Sequence, residues 1–114
     1  MNVLITYRIT DEQMNALRAA VGEGEIKQTS NRDITVEEVQ WADAILGNPP
    51  IPFIKGHDHL RLVALNSAGS TDYCAAGALP EETVLTNATG AYGIIISEWM
   101  TGMLLNMFNR FAEY

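Results

Sequence analysis

The sequence is poor in cysteine and in basic residues. Its 114 residues include one cysteine, Cys74, and 7 Lys and Arg against 14 Asp and Glu, for a formal net charge of −7. A lone cysteine excludes an internal disulfide and fits a reducing compartment. The excess of acid argues against nucleic acid and anionic membranes as partners, because both are bound through clustered Lys and Arg.

Long apolar runs are also missing. Residues Met1–Thr6 lack the basic start and the extended apolar stretch of a signal peptide. The most apolar segment, residues 94–112, is interrupted by polar and charged residues such as Glu98 and Arg110, so no membrane span is predicted. We therefore expect a cytoplasmic protein. With 47% apolar and 18% charged residues, the composition is that of a single globular domain.

Short apolar runs alternate with helix-length segments along the chain. The predicted strands cover residues 3–5, 25–29, 43–46, 61–65 and 82–86. Thr10 with Gln13, and Thr35 with Glu38, form candidate capping boxes that start the first two helices. This alternation predicts βαβ units in a flavodoxin-like, doubly wound α/β fold, with five parallel strands in the order 2-1-3-4-5 and helices on both faces.

Two segments call for separate predictions. Gly47–Pro52 holds three prolines in four residues and is predicted to be a turn, with a helical turn following at Phe53–His57. A long C-terminal helix is predicted from Ile94 to Tyr114, and its apolar residues occupy more than one face. We expect part of this helix to be covered by something outside the chain, and the alternative is a helix buried on both sides within the domain.

The strongest candidate site from the residues alone is the loop Asn66–Ser70, which follows the fourth predicted strand. Its small residues allow successive backbone amides to face the crevice at the carboxyl edge of the sheet, where ligands bind in such folds. Such a loop would hold an anion. A plain tight turn is the alternative.

Other chemical motifs are weak or missing. His57 and His59 have a spacing seen in metal sites, but without an independent third ligand an exposed loop is predicted. Cys74 has no neighbouring His or Lys in the sequence to activate it, so a small buried hydrophobic residue is predicted.

The loop Thr6–Thr10 lacks the acidic residues of a phosphoacceptor domain and the glycine of a flavodoxin phosphate loop. No Gly-x-Gly-x-x-Gly motif follows a strand.

Five segments carry recognisable motifs in a fixed order. They are Ala42–Pro50 (ADAILGNPP), Leu65–Gly69 (LNSAG), Leu79–Pro80, Thr86–Gly93 (TNATGAYG) and Ile96–Met100 (ISEWM). Together they resemble the D-isomer-specific 2-hydroxyacid dehydrogenases, which use NAD or NADP. The resemblance implies a flavodoxin-like substrate domain at residues 1–90, then a hinge and an apolar interdomain helix at residues 91–114. That helix would lead to a Rossmann coenzyme domain that is absent from the chain.

The resemblance also implies which site residues this chain carries. The catalytic Arg, His and acidic residue of the family lie in or just after the coenzyme domain, so no catalytic residue, metal site or bound cofactor is assigned here. NAD or NADP would belong to the parent protein. The backbone amides of Ala68, Gly69 and Ser70 are implied to hold the substrate carboxylate, with Asn48 and Tyr92 bordering the cleft.

The implied function is that of a fragment of an oxidoreductase, which moves a hydride between NAD(P) and a D-2-hydroxy acid or 2-oxo acid. Alone the chain is expected to be inactive, because the nicotinamide has to be positioned against the substrate carbon. The alternative is a stand-alone flavodoxin-like module that binds a small carboxylate or a partner protein without catalysis.

Two further expectations concern the loop and the helix. Many family members place an Asp two residues after the loop glycine, where this chain has Thr71 followed by Asp72. The helix carries a large apolar stripe, so we expect a homodimer formed through it. The stripe comprises Trp99, Met103, Met107 and Phe111.

Overall fold

Five short strands form a single parallel sheet in a computed structural model that describes residues 1–114. The strands are β1 (Val3–Ile5), β2 (Ile26–Gln28), β3 (Ala44–Leu46), β4 (Leu62–Ala64) and β5 (Val84–Thr86). Their order is β2-β1-β3-β4-β5, and every neighbouring pair is parallel. The predicted flavodoxin-like α/β fold and its strand order are confirmed.

The first two helices begin where the capping boxes predicted. The four α-helices are α1 (Asp11–Val21), α2 (Val36–Trp41), α3 (Ile51–Ile54) and α4 (Gly93–Asn109). Thr10 accepts a hydrogen bond from the Gln13 amide, and the Gln13 side chain accepts one from the Thr10 amide. Thr35 and Glu38 form the same reciprocal pair. Each pair satisfies two amides that a helix start would otherwise leave without an acceptor.

The proline-rich segment was predicted to be a turn throughout, and its second half is instead helical. Helix α3 begins at Ile51, with Pro50 at the N-cap position and Pro52 in the first turn. Proline is tolerated there because the first amides of a helix have no acceptor within the helix. The helical turn predicted at Phe53–His57 is displaced accordingly, since α3 ends at Ile54.

The C-terminal helix is present but shorter than predicted. Helix α4 ends at Asn109, because Arg110 adopts a left-handed conformation with φ of 53°. A left-handed residue stops a right-handed helix. One turn of 3₁₀ helix, Phe111–Glu113, follows it.

The two faces of the sheet are covered by different helices. The larger core lies between one face and helices α2 and α3, and it includes Leu4, Ile45 and Val63. The smaller core lies on the face covered by α1 and includes Ile5 and Ala44. Alternate strand residues point to opposite faces, so adjacent residues such as Ala44 and Ile45 enter different cores. Helices on both faces are what the βαβ pattern predicted.

Helix α4 stands away from the sheet. None of its residues is buried, and Trp99 and Met107 keep 66% and 70% of their surface exposed. The radius of gyration is 18.3 Å, whereas a compact chain of this length has about 13 Å. The alternative in which the domain encloses this helix is therefore not what the structure shows. None of the helices combines the length and apolarity that crossing a bilayer requires.

Gly47, directly after β3, carries a testable prediction about stability. Its φ is +125°, and an added Cβ would collide with the hydroxyl of Thr6 at the end of the neighbouring strand. We expect Gly47→Ala to lower the free energy of unfolding by about 1–3 kcal/mol through backbone strain alone, as measured by urea denaturation.

Gly69→Ala is the matched control for that measurement. Gly69 does not have a left-handed φ, and open space surrounds the position of its missing Cβ. Its free energy of unfolding should change by less than about 0.5 kcal/mol. Equal losses in the two variants would show that the strain at Gly47 is unimportant.

Candidate functional site

Three loops meet at the carboxyl edge of the sheet. Asn48 lies just after β3, residues 66–70 form the loop that follows β4, and residues 87–92 lead from β5 to α4. We call residues 66–70 the β4 loop. Because β3, β4 and β5 are adjacent and parallel, their carboxyl ends lie side by side. The sheet therefore brings Asn48 and the segment that contains Tyr92 to the β4 loop.

Asn48 fixes the first half of the β4 loop. Its Oδ1 accepts a hydrogen bond from the Asn66 amide at 3.2 Å, and its Nδ2 donates to Ser67 Oγ at 2.8 Å. Ser67 Oγ in turn donates to the Gly69 carbonyl at 2.9 Å. The Asn48 side chain, in the loop after β3, thus holds the β4 loop through both the oxygen and the nitrogen of its amide group.

Every carbonyl oxygen of the β4 loop accepts a hydrogen bond from within the chain. Tyr92 Oη donates to Asn66 O at 2.8 Å, and Asn87 Nδ2 donates to Ala68 O at 2.7 Å. The remaining donors are the Ala88 amide to Ser67 O, Ser67 Oγ to Gly69 O, and the Tyr73 and Cys74 amides to Ser70 O. The backbone carbonyls of the loop are therefore all engaged.

The amides of the same loop, apart from that of Asn66, are in the opposite condition. The backbone N–H groups of Ala68, Gly69 and Ser70 donate to no acceptor in the chain. Ala68 and Gly69 are exposed, and Ser70 is half-buried. A loop with free successive amides and no free carbonyls offers hydrogen-bond donors without competing acceptors. This is the pattern expected of an anion-binding loop.

A depression of about 380 Å³ adjoins the β4 loop. Its lining residues are Asn48, Gly69, Ser70, Thr71, Asp72 and Tyr73. Three of the five predicted site residues line it, while Ala68 and Tyr92 contribute through the β4 loop itself. A larger depression, of about 700 Å³, lies among Asp43, Arg61 and Glu82 at the amino edge of the sheet, away from these loops. The volume near the β4 loop is in the range of small-ligand sites.

Tyr73 is a site residue that sequence reasoning missed. Its Oη donates a hydrogen bond to the Pro49 carbonyl at 2.7 Å, which ties the 3₁₀ turn Thr71–Cys74 to the loop after β3. Burial, together with the nearby Asp72 carboxylate, raises the pKa of Tyr73. Tyr73 is therefore a neutral donor at physiological pH. Asn87, which holds Ala68 O, was also missed as an individual residue, although it lies in one of the motif segments.

His57 is buried, which corrects the expectation of an exposed loop. Its Nε2 lies 3.1 Å from Val39 O and 3.0 Å from Ala42 O, so the ring hydrogen is on Nε2. Its Nδ1 accepts the His59 amide at 3.3 Å. Ligand atoms of His57, Asp58 and His59 do lie within 4.8 Å of one another. Both His57 nitrogens are nevertheless engaged within the fold, so its role is to join the α2 end to the loop before β4.

The exposed pair Asp58 and His59 gives a prediction about pH. The two side chains are hydrogen-bonded at 2.7 Å, which raises the pKa of His59 above 6.5 and lowers that of Asp58 below 3.8. The raised pKa of His59 stabilises the fold below about pH 6.5, and this contribution is lost as the pH rises through the folded-state pKa. We expect Asp58→Asn to bring the pKa of His59 down toward 6.5, measured by NMR titration of the ring. A ring titration that is identical in the two proteins would exclude this pairing in solution.

Cys74 is exposed, so the prediction of a small buried residue was wrong. It ends the 3₁₀ turn Thr71–Cys74, where the neighbouring Tyr73 takes the inward-facing position against the larger core. Cys74 Sγ lies 3.8 Å from Ser70 Oγ. The chain direction at this short turn, and not the hydrophobicity of the thiol, decides its exposure.

Fold and site together define a flavodoxin-like α/β domain with a donor-presenting loop at its carboxyl edge. The structure is similar to the crystal structure of phosphoglycerate dehydrogenase from Lactobacillus plantarum, with a TM-score of 0.61 and 23% sequence identity. The match covers 94% of this chain and 35% of that one, so the chain spans about a third of that dehydrogenase. At this level of identity the likeness shows the fold. No protein-family model and no curated protein matches the sequence.

Proposed function

We propose that the chain is the substrate-binding domain of an NAD(P)-dependent D-2-hydroxyacid dehydrogenase, and that its β4 loop binds the substrate carboxylate. The observation that carries the proposal is the hydrogen-bond pattern of this loop, whose carbonyls are all engaged while the amides of Ala68, Gly69 and Ser70 are free. The likeness of the fold to part of a dehydrogenase supports it.

In this proposal the chain positions the substrate and does not perform the transfer. The carboxylate oxygens accept hydrogen bonds from the free amides, and such bonds to an ionised acceptor are about twice as strong as neutral ones. Asn48 and Tyr92 keep the loop in its donor-presenting form through Asn66 and Ser67. The held carboxylate fixes the orientation of the adjacent carbon, which is the contribution of proximity to catalysis.

The nicotinamide cofactor belongs to the parent protein, because the residues of this chain do not fit it. The loop after β1 has no glycine, and helix α1 begins with Asp11 and Glu12. Two carboxylates in the first turn repel the pyrophosphate that a dinucleotide-binding fold places at that helix start. When bound to a separate coenzyme domain, the cofactor would supply or accept the hydride.

The domain division follows from the same proposal. Residues 1–90 would form the substrate domain, and residues 91–114 the hinge and interdomain helix. The exposure of every large apolar side chain of α4 supports this assignment, because an isolated surface helix normally buries one face. In the parent protein this helix would pack against the coenzyme domain.

An NMR titration of the chain tests the proposal directly. Pyruvate or glyoxylate should shift the backbone amide resonances of Ala68, Gly69 and Ser70, with a dissociation constant on the order of millimolar for so few contacts. The uncharged analogue acetone should leave them unchanged, and NADH should cause no shift. Shifts confined to other residues would exclude the β4 loop as the site, and turnover of 2-oxo acids with NADH would exclude the fragment role.

A further inference from the structure

The depression beside the β4 loop is lined by one charged residue, Asp72. None of the seven basic residues of the chain lines it. Arg8, the basic residue that follows β1, lines a separate depression with residues 28–30, at the carboxyl ends of β1 and β2. Lys27 lies over the Trp41 ring, 4.0 Å from its centroid, and Arg61 lines the depression at the amino edge. The donors beside the depression are therefore neutral: the free backbone amides of the β4 loop and of Thr71 and Asp72, together with uncharged side chains.

We propose that this site selects a monoanionic 2-hydroxy or 2-oxo acid with an uncharged tail and disfavours acids that carry a second anionic group, with Asp72 as the residue that determines this specificity. The inference rests on the proposed function of the β4 loop and defines the substrate class of that same site. It separates the acids that such a loop could bind into those that carry a second anionic group, at the end away from the carboxylate, and those that do not.

The physical reason is that the site offers hydrogen-bond donors to the carboxylate at one end of the ligand but no cation to an anionic group at the other end. Three amides can satisfy one carboxylate. A phosphate or second carboxylate a few bonds further on would require the cationic side chain of Arg or Lys to compensate its charge. Here the turn that begins at Thr71 brings a carboxylate to the rim, and two like charges repel when they lie closer together than the Debye length, about 8 Å at physiological salt.

The substrate named for the structural neighbour therefore does not extend to this chain. A phosphoglycerate carries a phosphate in addition to its carboxylate, and the depression here offers no cation for it. The acidic character of the whole chain, with a net charge of −7, acts in the same direction. A small acid with an apolar or hydroxylated tail carries no second anionic group, so it is repelled less by these charges.

The test compares pyruvate with 3-phosphoglycerate in NMR titrations of the full chain at 150 mM salt, followed at the amides of Ala68, Gly69 and Ser70. We expect 3-phosphoglycerate to bind about tenfold more weakly. Asp72→Asn should reduce that ratio to about threefold or less, chiefly by strengthening the binding of 3-phosphoglycerate. The Asp72 side chain is exposed and the substitution is nearly isosteric, so the spectrum itself reports that the fold is kept.

Glu82→Gln is the matched control, because it removes the same charge at the amino edge of the sheet. It should leave the ratio of the two affinities unchanged. Equal or tighter binding of 3-phosphoglycerate by the unsubstituted chain would overturn the selectivity while leaving the carboxylate site intact. A ratio that Asp72→Asn does not change would overturn the role of Asp72. If neither acid shifts the three amides, the proposed function fails and the inference fails with it.

Discussion

Met103→Glu is expected to weaken self-association of the chain by about 100-fold or more, which converts dimers into monomers at micromolar concentration. We propose that the unsubstituted chain forms homodimers through α4. The reason is the surface of this helix, on which Trp99, Met103 and Met107 lie close together at helical spacing and are 40–70% exposed. Contiguous exposed apolar patches mark interaction surfaces.

The energy of the contact explains the size of the effect. Each large apolar side chain that becomes fully buried contributes about 1.5–3 kcal/mol, and a twofold contact buries the same residues from both copies. Met103 lies at the middle of the apolar surface. A glutamate there would be buried without a partner in both copies, at a cost of several kcal/mol.

Light scattering over a range of concentrations measures the effect. Asn109→Glu is the matched control, since Asn109 lies near Glu98 and Gly102 at helical spacing, on a different side of α4 from Met103. It adds the same charge and should leave the dimer intact. An unsubstituted chain that stays monomeric at high concentration would refute dimerisation through this helix.

The second large effect is expected from Asn48→Ala combined with Asn87→Ala, which should weaken carboxylate binding at least about tenfold. Asn48 holds the Asn66 amide and Ser67, and Asn87 holds the Ala68 carbonyl. Without these bonds the loop carbonyls are free to turn toward the ligand. An anion would then meet acceptors as well as donors.

This loss of affinity is measured by titrating the chain with pyruvate and following the amides of Ala68, Gly69 and Ser70 by NMR. Asn15→Ala combined with Asn31→Ala is a matched control, because both residues are exposed and their side chains are not part of the network that holds the loop. Each lost hydrogen bond should also lower the free energy of unfolding by about 0.5–1.5 kcal/mol, so the double variant should still fold. Unchanged pyruvate affinity in the Asn48/Asn87 variant would show that the loop keeps its form without them.

Local signals explain why most elements could be predicted. The capping boxes at Thr10 and Thr35 work over three residues, and the strand at Val3–Ile5 is a short apolar run. The strand order followed from the βαβ alternation, because right-handed crossovers leave few arrangements of five parallel strands. The end of α4 could not be predicted, since no glycine marks it and Arg110 stops it through its backbone conformation.

Burial at individual polar positions was predicted less well than the elements. His57 was assigned to an exposed loop, yet its ring bonds the carbonyls of Val39 and Ala42, 18 and 15 residues earlier in the chain. Cys74 was assigned to the interior, yet it is exposed. In both cases the orientation of a short turn against a distant element decides whether the side chain is buried, and no local sequence pattern encodes that orientation.

The sequence by itself determined the class of fold, the lack of a dinucleotide loop, the acidic charge and the position of the small-residue loop after β4. These properties depend on composition and on spacings of a few residues. Only the tertiary structure decided that the loop offers free amides without competing carbonyls, because the donors that engage its carbonyls include Asn87 and Tyr92, which lie 19 and 26 residues from their acceptors. Such partners are selected by the alignment of neighbouring parallel strands, which places distant segments of the chain at one edge of the sheet.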